Sequence, residues 1–244
     1  MIYTVTLNPA LDKTVEIPGM ALDTVNRITE MRTDPGGKGI NVSKVIAKLG
    51  GESCAVGILG GGSGKMLEKL LEGEPFATRF RFVEGQTRTN LKIIDREGHT
   101  NTDINEPGLT VTDADLDALL NDLLAEVHAG DIVVLAGSLP KGAPQDTYRR
   151  WTATCKKAGA LYLRKGSTIY AEGLRVPVGS TVGAGDSVVA ALAYAEAQGL
   201  SEEEAVRLST AAGAANVMCS GTQAAERAAV ETLLPKVRFS RLRP

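Results

Sequence analysis

The chain has 244 residues, of which 43% are hydrophobic and 23% charged, with a formal net charge of -2. That length and apolar content suit one large domain with a sizeable core, and the mixing of acidic and basic residues excludes a basic nucleic-acid-binding arm. No basic segment followed by a long apolar stretch opens the sequence, and no apolar run is long enough for a bilayer, so no signal peptide or membrane contact is expected and the expected compartment is cytoplasmic.

Taken in chain order, Ile2–Leu7 reads as a buried β-branched strand. Val25–Arg32 is polar and strand-like. After Gly37 a helix places Val42, Val45, Ile46 and Leu49 on one face and ends at Gly50-Gly51. Ser53–Leu59 is a second buried strand, followed by a glycine-rich turn, a short helix from about Lys65 to Leu71, and a strand at Arg79–Val83. Arg88–Asp95 alternates, with Thr89, Leu91 and Ile93 on one face and Arg88, Asn90 and Lys92 on the other. Asp95–Gly98 turns the chain and His99–Ile104 returns beside it. These polar strands predict a small sheet apart from the main one.

The strand–helix rhythm then resumes. Leu116, Leu119, Leu120, Leu123 and Leu124 stripe a helix over Asp113–Val127, Asp131–Ala136 is an apolar strand, and a helix spans about Pro144–Lys157. Ala160–Leu163 begins another strand. Helices over Asp186–Ala197, Ser201–Met218 and Gln223–Leu234 complete the chain. The pattern predicts an α/β fold whose mostly parallel central sheet is covered on both faces. Such sheets bind ligands beyond their C-terminal strand ends.

Two glycine-rich segments suit anion chemistry. Thr181-Val-Gly-Ala-Gly-Asp186 runs into a helix, where Gly183, Ala184 and Gly185 let a ligand approach unpaired backbone N–H groups. Asp186 is placed to orient a hydroxyl and take its proton; the simpler reading is a helix cap. In Asp34-Pro-Gly-Gly-Lys-Gly-Ile-Asn41, Lys38 sits in a first helical turn, where a cation opposes the dipole unless it faces an anion. Asn41 shares its side of the helix; the simpler reading is a solvated lysine on a flexible loop. Asp12 follows the first strand towards the same edge. Arg88, Asn90 and Lys92 offer a forked donor, an amide and a point charge, or merely an exposed polar face. Gly137-Ser138 leaves the next strand end, where it is otherwise only a turn. Gly60-Gly-Gly-Ser-Gly-Lys65 fails the Walker-A pattern, because Met66 follows the lysine where a hydroxyl is required. The three cysteines (Cys54, Cys155, Cys219) and two histidines (His99, His128) show no metal-ligand spacing.

Asn8-Pro-Ala-Leu-Asp12, Pro35-Gly-Gly-Lys-Gly-Ile-Asn-Val42, Gly137-Ser-Leu-Pro140, Val182-Gly-Ala-Gly-Asp186 and Ser209–Asn216, in this order, resemble the ribokinase-like carbohydrate kinase family. The likeness is strongest to its branch of 1-phosphofructokinases and tagatose-6-phosphate kinases. It implies a three-layer ribokinase-like fold, a single domain over residues 1–244, and a small β lid from about 13–33 and 88–106. It also implies ATP and Mg2+ as cofactors and a small-molecule sugar phosphate as substrate, with a homodimer forming through the lid. Asp186 is then the general base, with Gly183, Ala184 and Gly185 the anion hole. Asp12, Gly37 and Asn41 hold the sugar, while Lys38 and Arg88 hold its phosphate, with Ser138 nearby. Asn90 and Lys92 belong to the lid and are counted with the substrate-binding residues, and Thr181 and Asn216 belong to the nucleotide side.

One departure concerns length. Near 162–164 the chain lacks about 60–70 residues that relatives carry, far more than the two to six residues of an ordinary strand–helix connection. That stretch normally supplies a Lys-Pro-Asn segment, an Asn-x-x-Glu motif tied to magnesium and phosphate, and a glycine-rich nucleotide loop. The expected activity is phosphorylation of fructose 1-phosphate to fructose 1,6-bisphosphate. The alternatives are tagatose 6-phosphate as substrate, or a non-catalytic sugar-phosphate-binding remnant.

Overall fold

The computed structural model describes residues 1–160, 168–219 and 223–242. In chain order its elements are β1 (Ile2–Thr6), β2 (Ala10–Ile17), β3 (Glu30–Gly36), α1 (Lys38–Lys48), β4 (Ser53–Gly60), α2 (Gly61–Leu70), β5 (Ala77–Val83), β6 (Arg88–Asp95), β7 (Thr100–Asn105), α3 (Asp113–Glu126), β8 (Ile132–Leu135), α4 (Thr147–Lys157), β9 (Thr168–Ala171), α5 (Ala184–Ala197), α6 (Glu202–Val217), α7 (Arg227–Leu233) and β10 (Phe239–Leu242).

β5, β4, β1 and β8 form a parallel sheet in that order. Alternation along β1 sorts the two helical layers. Tyr3, Val5 and Leu7 pack with Leu116, Leu119 and Leu123 of α3 and Trp151 of α4. Ile2 packs on the other side, with Val42, Val45 and Ile46 of α1 and the alanines of α5 and α6. Each large aliphatic side chain so buried contributes about 1.5–3 kcal/mol. Small residues set the spacing of the second layer. A Cβ on Gly213 would lie 2.8 Å from Val188 Cγ2, so glycine there lets α6 close on α5.

The buried threonines of β1 have specific partners. The Thr4 hydroxyl is 2.7 Å from that of Ser43, which also accepts from the Ser53 hydroxyl at 2.9 Å. Thr6 Oγ1 accepts from the N–H of Ile40 at 3.2 Å. That N–H belongs to the first turn of α1, where donors lack intrahelical partners. The capping position is Gly37, which has no side chain to serve them, so the strand supplies the acceptor.

β3, β2, β6 and β7 form a second sheet, with β2 and β6 parallel and both outer pairs antiparallel. Its strands differ from expectation on the first half. Ala10–Ile17 is a strand that the sequence reading did not include. The strand expected over Val25–Arg32 runs instead over Glu30–Gly36, because it pairs with β2 from Glu16–Glu30 to Ala10–Gly36. α2 starts at Gly61 rather than Lys65, the glycine run forming its first turn; Ser63 Oγ there donates to the Thr87 carbonyl at 2.6 Å. α7 is confined to Arg227–Leu233, shorter than Gln223–Leu234. Of the strand expected over Ala160–Leu163, Ala160 is buried and the rest lies outside the described residues, as does the shortened connection near 162–164. β9 pairs antiparallel with β10 as a separate two-stranded sheet. No helix among the described residues is long and apolar enough to cross a membrane.

Candidate active site

Asp186 is the third residue of α5, and only 7% of it is exposed. The capping position is Gly183, which turns the chain with φ 83°, and no side chain caps the helix. Asp186 therefore does not cap. Its Oδ2 accepts from Asn41 Nδ2 at 3.0 Å and faces Lys38 Nζ at 3.5 Å. Both donors offset the cost of taking the carboxylate out of water. α1 delivers both donors because Lys38 and Asn41 are three residues apart on one side of the helix. Lys38 remains 53% exposed at its side chain, so its ammonium also borders open space.

The loop before α5 is held from beneath. Asn216 on α6 is buried and donates to the Val182 carbonyl at 3.0 Å. The exposed Thr181 offers its carbonyl to the Ala184 N–H at 3.5 Å. A side chain on Gly185 would meet nothing within 4 Å. Gly185 thus leaves room beside the first turn of α5, whose N–H groups form the positive end of the helix dipole, a fit for a phosphoryl group. No group of three or more His, Cys, Asp or Glu residues gathers as a metal site among the described residues.

Asp12 and Asn90 form a second cluster. They are register partners on β2 and β6, and Asn90 Nδ2 donates to Asp12 Oδ1 at 2.9 Å. Burial pushes the Asp12 carboxyl up; the Asn90 amide, Lys44 and Arg88 draw it back, and Asp34 adds to the rise. A Cβ on Gly36 would lie 2.1 Å from Asp12 Oδ2. The carboxylate therefore rests directly on the end of β3. Gly37 follows with φ 134°, where a Cβ would meet Thr6 Cγ2 at 2.7 Å, so this corner admits only glycine.

Arg88 joins a third group. Its guanidinium donates to the Asn8 carbonyl at 3.0 Å and the Glu106 carbonyl at 3.4 Å, and burial lowers its pKa. Asn8 donates in turn to the Pro107 carbonyl at 3.2 Å and to Ser138 Oγ at 3.4 Å. Asn8 thereby ties three strand-end loops together, a role that its place in the Asn-Pro-Ala segment did not announce. Lys92 stands apart, 3.8 Å from its cross-strand partner Asp103.

Among the described residues, three buried side-chain polar atoms have no hydrogen-bond partner: Asn41 Oδ1, Asn90 Oδ1 and Arg88 Nε. All three belong to residues that the sequence nominates for the sugar phosphate. The two oxygens accept and the nitrogen donates, which suits hydroxyl and phosphate groups respectively. A cavity of about 400 Å³ lies elsewhere, lined by Tyr3, Phe80, Leu119 and Leu123 among others. Its arginines are already paired, Arg79 with Glu126 at 3.3 Å and Arg81 with Asp122 at 2.7 Å.

Residues 5–165 and 154–229 match the profile of the pfkB family carbohydrate kinases. A 1-phosphofructokinase of Xanthomonas campestris is 40% identical over 160 residues, 66% of this chain and 50% of that protein. The chain thus spans about half the length of the curated relatives it matches first. The Vibrio cholerae 1-phosphofructokinase is 27% identical over 310 aligned positions, covering 100% of this chain and 98% of that protein. An alignment of that length on 244 residues carries gaps on this chain's side. The solved phosphofructokinase-2 of Escherichia coli superposes with a TM-score of 0.87 at 24% identity, over 96% of this chain and 98% of that one. The fold is therefore the three-layer ribokinase-like one. The chain belongs to the pfkB family of carbohydrate kinases.

Proposed function

We propose that the chain phosphorylates fructose 1-phosphate to fructose 1,6-bisphosphate. The observation that carries this reading is the Asp186 carboxylate, held by Asn41 at 3.0 Å beside a glycine-rich helix start open to an anion. ATP with Mg2+ would supply the phosphoryl group to be transferred; a magnesium ion that keeps its waters and phosphate ligands asks few carboxylates of the protein.

Asp186 accepts the proton of the attacking sugar hydroxyl, and the hydroxyl oxygen forms the new bond to phosphorus. The N–H groups of the Gly183–Gly185 segment stabilise the charge on the transferring phosphoryl oxygens. Lys38, which the family likeness assigns to the sugar's own phosphate, lies 3.5 Å from Asp186 and so adds its charge beside the transferring group instead. Asp12, Asn41 and Asn90 orient the sugar through its hydroxyls, and Arg88 with Ser138 holds the phosphate that the sugar already bears. The names of the curated relatives favour fructose 1-phosphate over tagatose 6-phosphate.

The second sheet also suits a contact with another copy of this chain. Met31 and Ile104, paired in register with Val15 and Leu91, extend the apolar row of that face and remain 60% and 53% exposed. Met31→Glu is expected to shift a dimer to monomer in analytical ultracentrifugation; sedimentation as a monomer before substitution would end this part of the proposal.

An ATP-coupled assay on both sugar phosphates, with Asp186→Asn as control, tests the activity. Turnover of fructose 1-phosphate that vanishes in the control supports it. Binding without turnover favours a non-catalytic sugar-phosphate protein, and preferential turnover of tagatose 6-phosphate reassigns the substrate.

A further inference from the structure

Lys44 lies three residues beyond Asn41 on α1, as its neighbour on the helix surface and one turn further round from Lys38. Its Nζ donates to the Pro35 carbonyl at 2.7 Å. Pro35 precedes Gly36, the residue whose backbone supports the Asp12 carboxylate. Lys44 is thus bonded to the segment on which Asp12 rests. Its ammonium is drawn below the usual range by burial, against the opposing pull of Glu74, Asp34 and Asp12. Asp34 is the cross-strand partner of Asp12 in β3 and is tied to Arg32 at 2.7 Å. Arg88 is the other cation acting on Asp12. Burying an ammonium is costly, and a methionine would fill similar space without that cost. The half-buried ammonium instead makes its hydrogen bond to the Pro35 carbonyl of β3.

We propose that Lys44 is a positioning residue for sugar binding: it anchors the Pro35–Gly36 end of β3 beneath Asp12 and supplies the counter-charge that keeps Asp12 an acceptor for a sugar hydroxyl. This rests on the reading of the site as one for sugar phosphates. Lys44 touches neither the transferring group nor Asp186, so its removal acts on sugar binding and spares the chemical step.

The test is a double-mutant cycle on the full chain, with fructose 1-phosphate binding read by calorimetry and steady-state kinetics run alongside. Lys44→Met is expected to weaken sugar-phosphate binding about tenfold, as for loss of a hydrogen bond to a charged group. The KM for ATP stays unchanged, kcat changes less than sugar binding, and Lys44→Arg recovers most of the loss. In an Asp12→Asn background, Lys44→Met is expected to add little. Equal weakening in both backgrounds, or no weakening in either, overturns the proposal. A second readout needs no turnover: the carbon-13 titration of the Asp12 carboxyl should move upward in Lys44→Met, with Asp34, Glu74, Arg88 and Asn90 left in place. An unmoved titration also overturns it. Should the unaltered chain bind neither sugar phosphate, the functional reading falls, and the titration alone decides whether Lys44 serves Asp12.

Discussion

The amide of Asn41 reaches the carboxylate of Asp186 across 3.0 Å, although 145 residues separate them in sequence. This bond engages Oδ2 of Asp186, and in the proposed reaction leaves Oδ1 for the sugar hydroxyl. Asp186→Asn is expected to lower kcat by on the order of a hundred- to ten-thousand-fold, the usual contribution of a positioned general base. Sugar-phosphate binding should change little. Asn41→Ala should cost about tenfold in kcat through loss of a charge-assisted bond. Steady-state rates set beside calorimetric affinities check both.

Asp12 predicts a conflict between stability and binding. Burial raises its folded-state pKa above the unfolded value. The stabilisation this brings is present in full below the unfolded pKa and is lost as pH rises through the folded one. At neutral pH the charged carboxylate thus works against folding. Asp12→Asn is expected to melt higher than the parent at pH 7, with the difference closing as the pH falls to about 4 and below. The same substitution should weaken sugar-phosphate binding. A variant that melts lower at pH 7 would contradict the sign.

Gly36→Ala should strike the same carboxylate from the other side. The added methyl would sit 2.1 Å from Asp12 Oδ2, so one of them must move. Overpacking of this kind costs about 1–3 kcal/mol. The expected result is a lower melting temperature together with weaker sugar-phosphate binding, whereas Gly62→Ala, in open space, should leave binding unaltered. Paired thermal and calorimetric measurements separate the two variants.

Asn216→Ala removes the donor that supports Val182 beneath the anion loop. The loop N–H groups act where charge develops during transfer, so kcat should fall by about ten- to a hundredfold, with the sugar-phosphate Kd nearly constant. A loss confined to sugar affinity would place Asn216 in a different role.

What could be read from the sequence followed the strength of each local signal. α1, α3 and β4 were legible because their apolar residues recur without interruption and their ends carry glycine or a capping box such as Thr112–Asp115. β2 was hidden, since Asp12, Lys13 and Glu16 dilute its alternation and a proline precedes it. β3 was misplaced because Pro35-Gly36 reads as a turn, yet both residues lie in a strand whose register is set by β2. Lys38, Asn41 and Asp186 were nominated by residue type, but their convergence lives in the packing of α1 against α5. Lys44 had only one signal, its three-residue spacing from Asn41, and an exposed helical lysine has the same look. Its bond to the Pro35 carbonyl depends on β3 lying beside it, which no local pattern announces.

The α1–α5 seam has a consequence for how the chain tolerates change. Val42, Val45 and Ile46 of α1 and Ala190 and Ala191 of α5 share one core. The distance between Asn41 and Asp186 is consequently gauged by the bulk of a few side chains, like a spacer between two plates, and not by the connection that joins the helices. Segments can be gained or lost along that connection while the gauge stays set. Enlarging a single alanine in the seam would instead reset it.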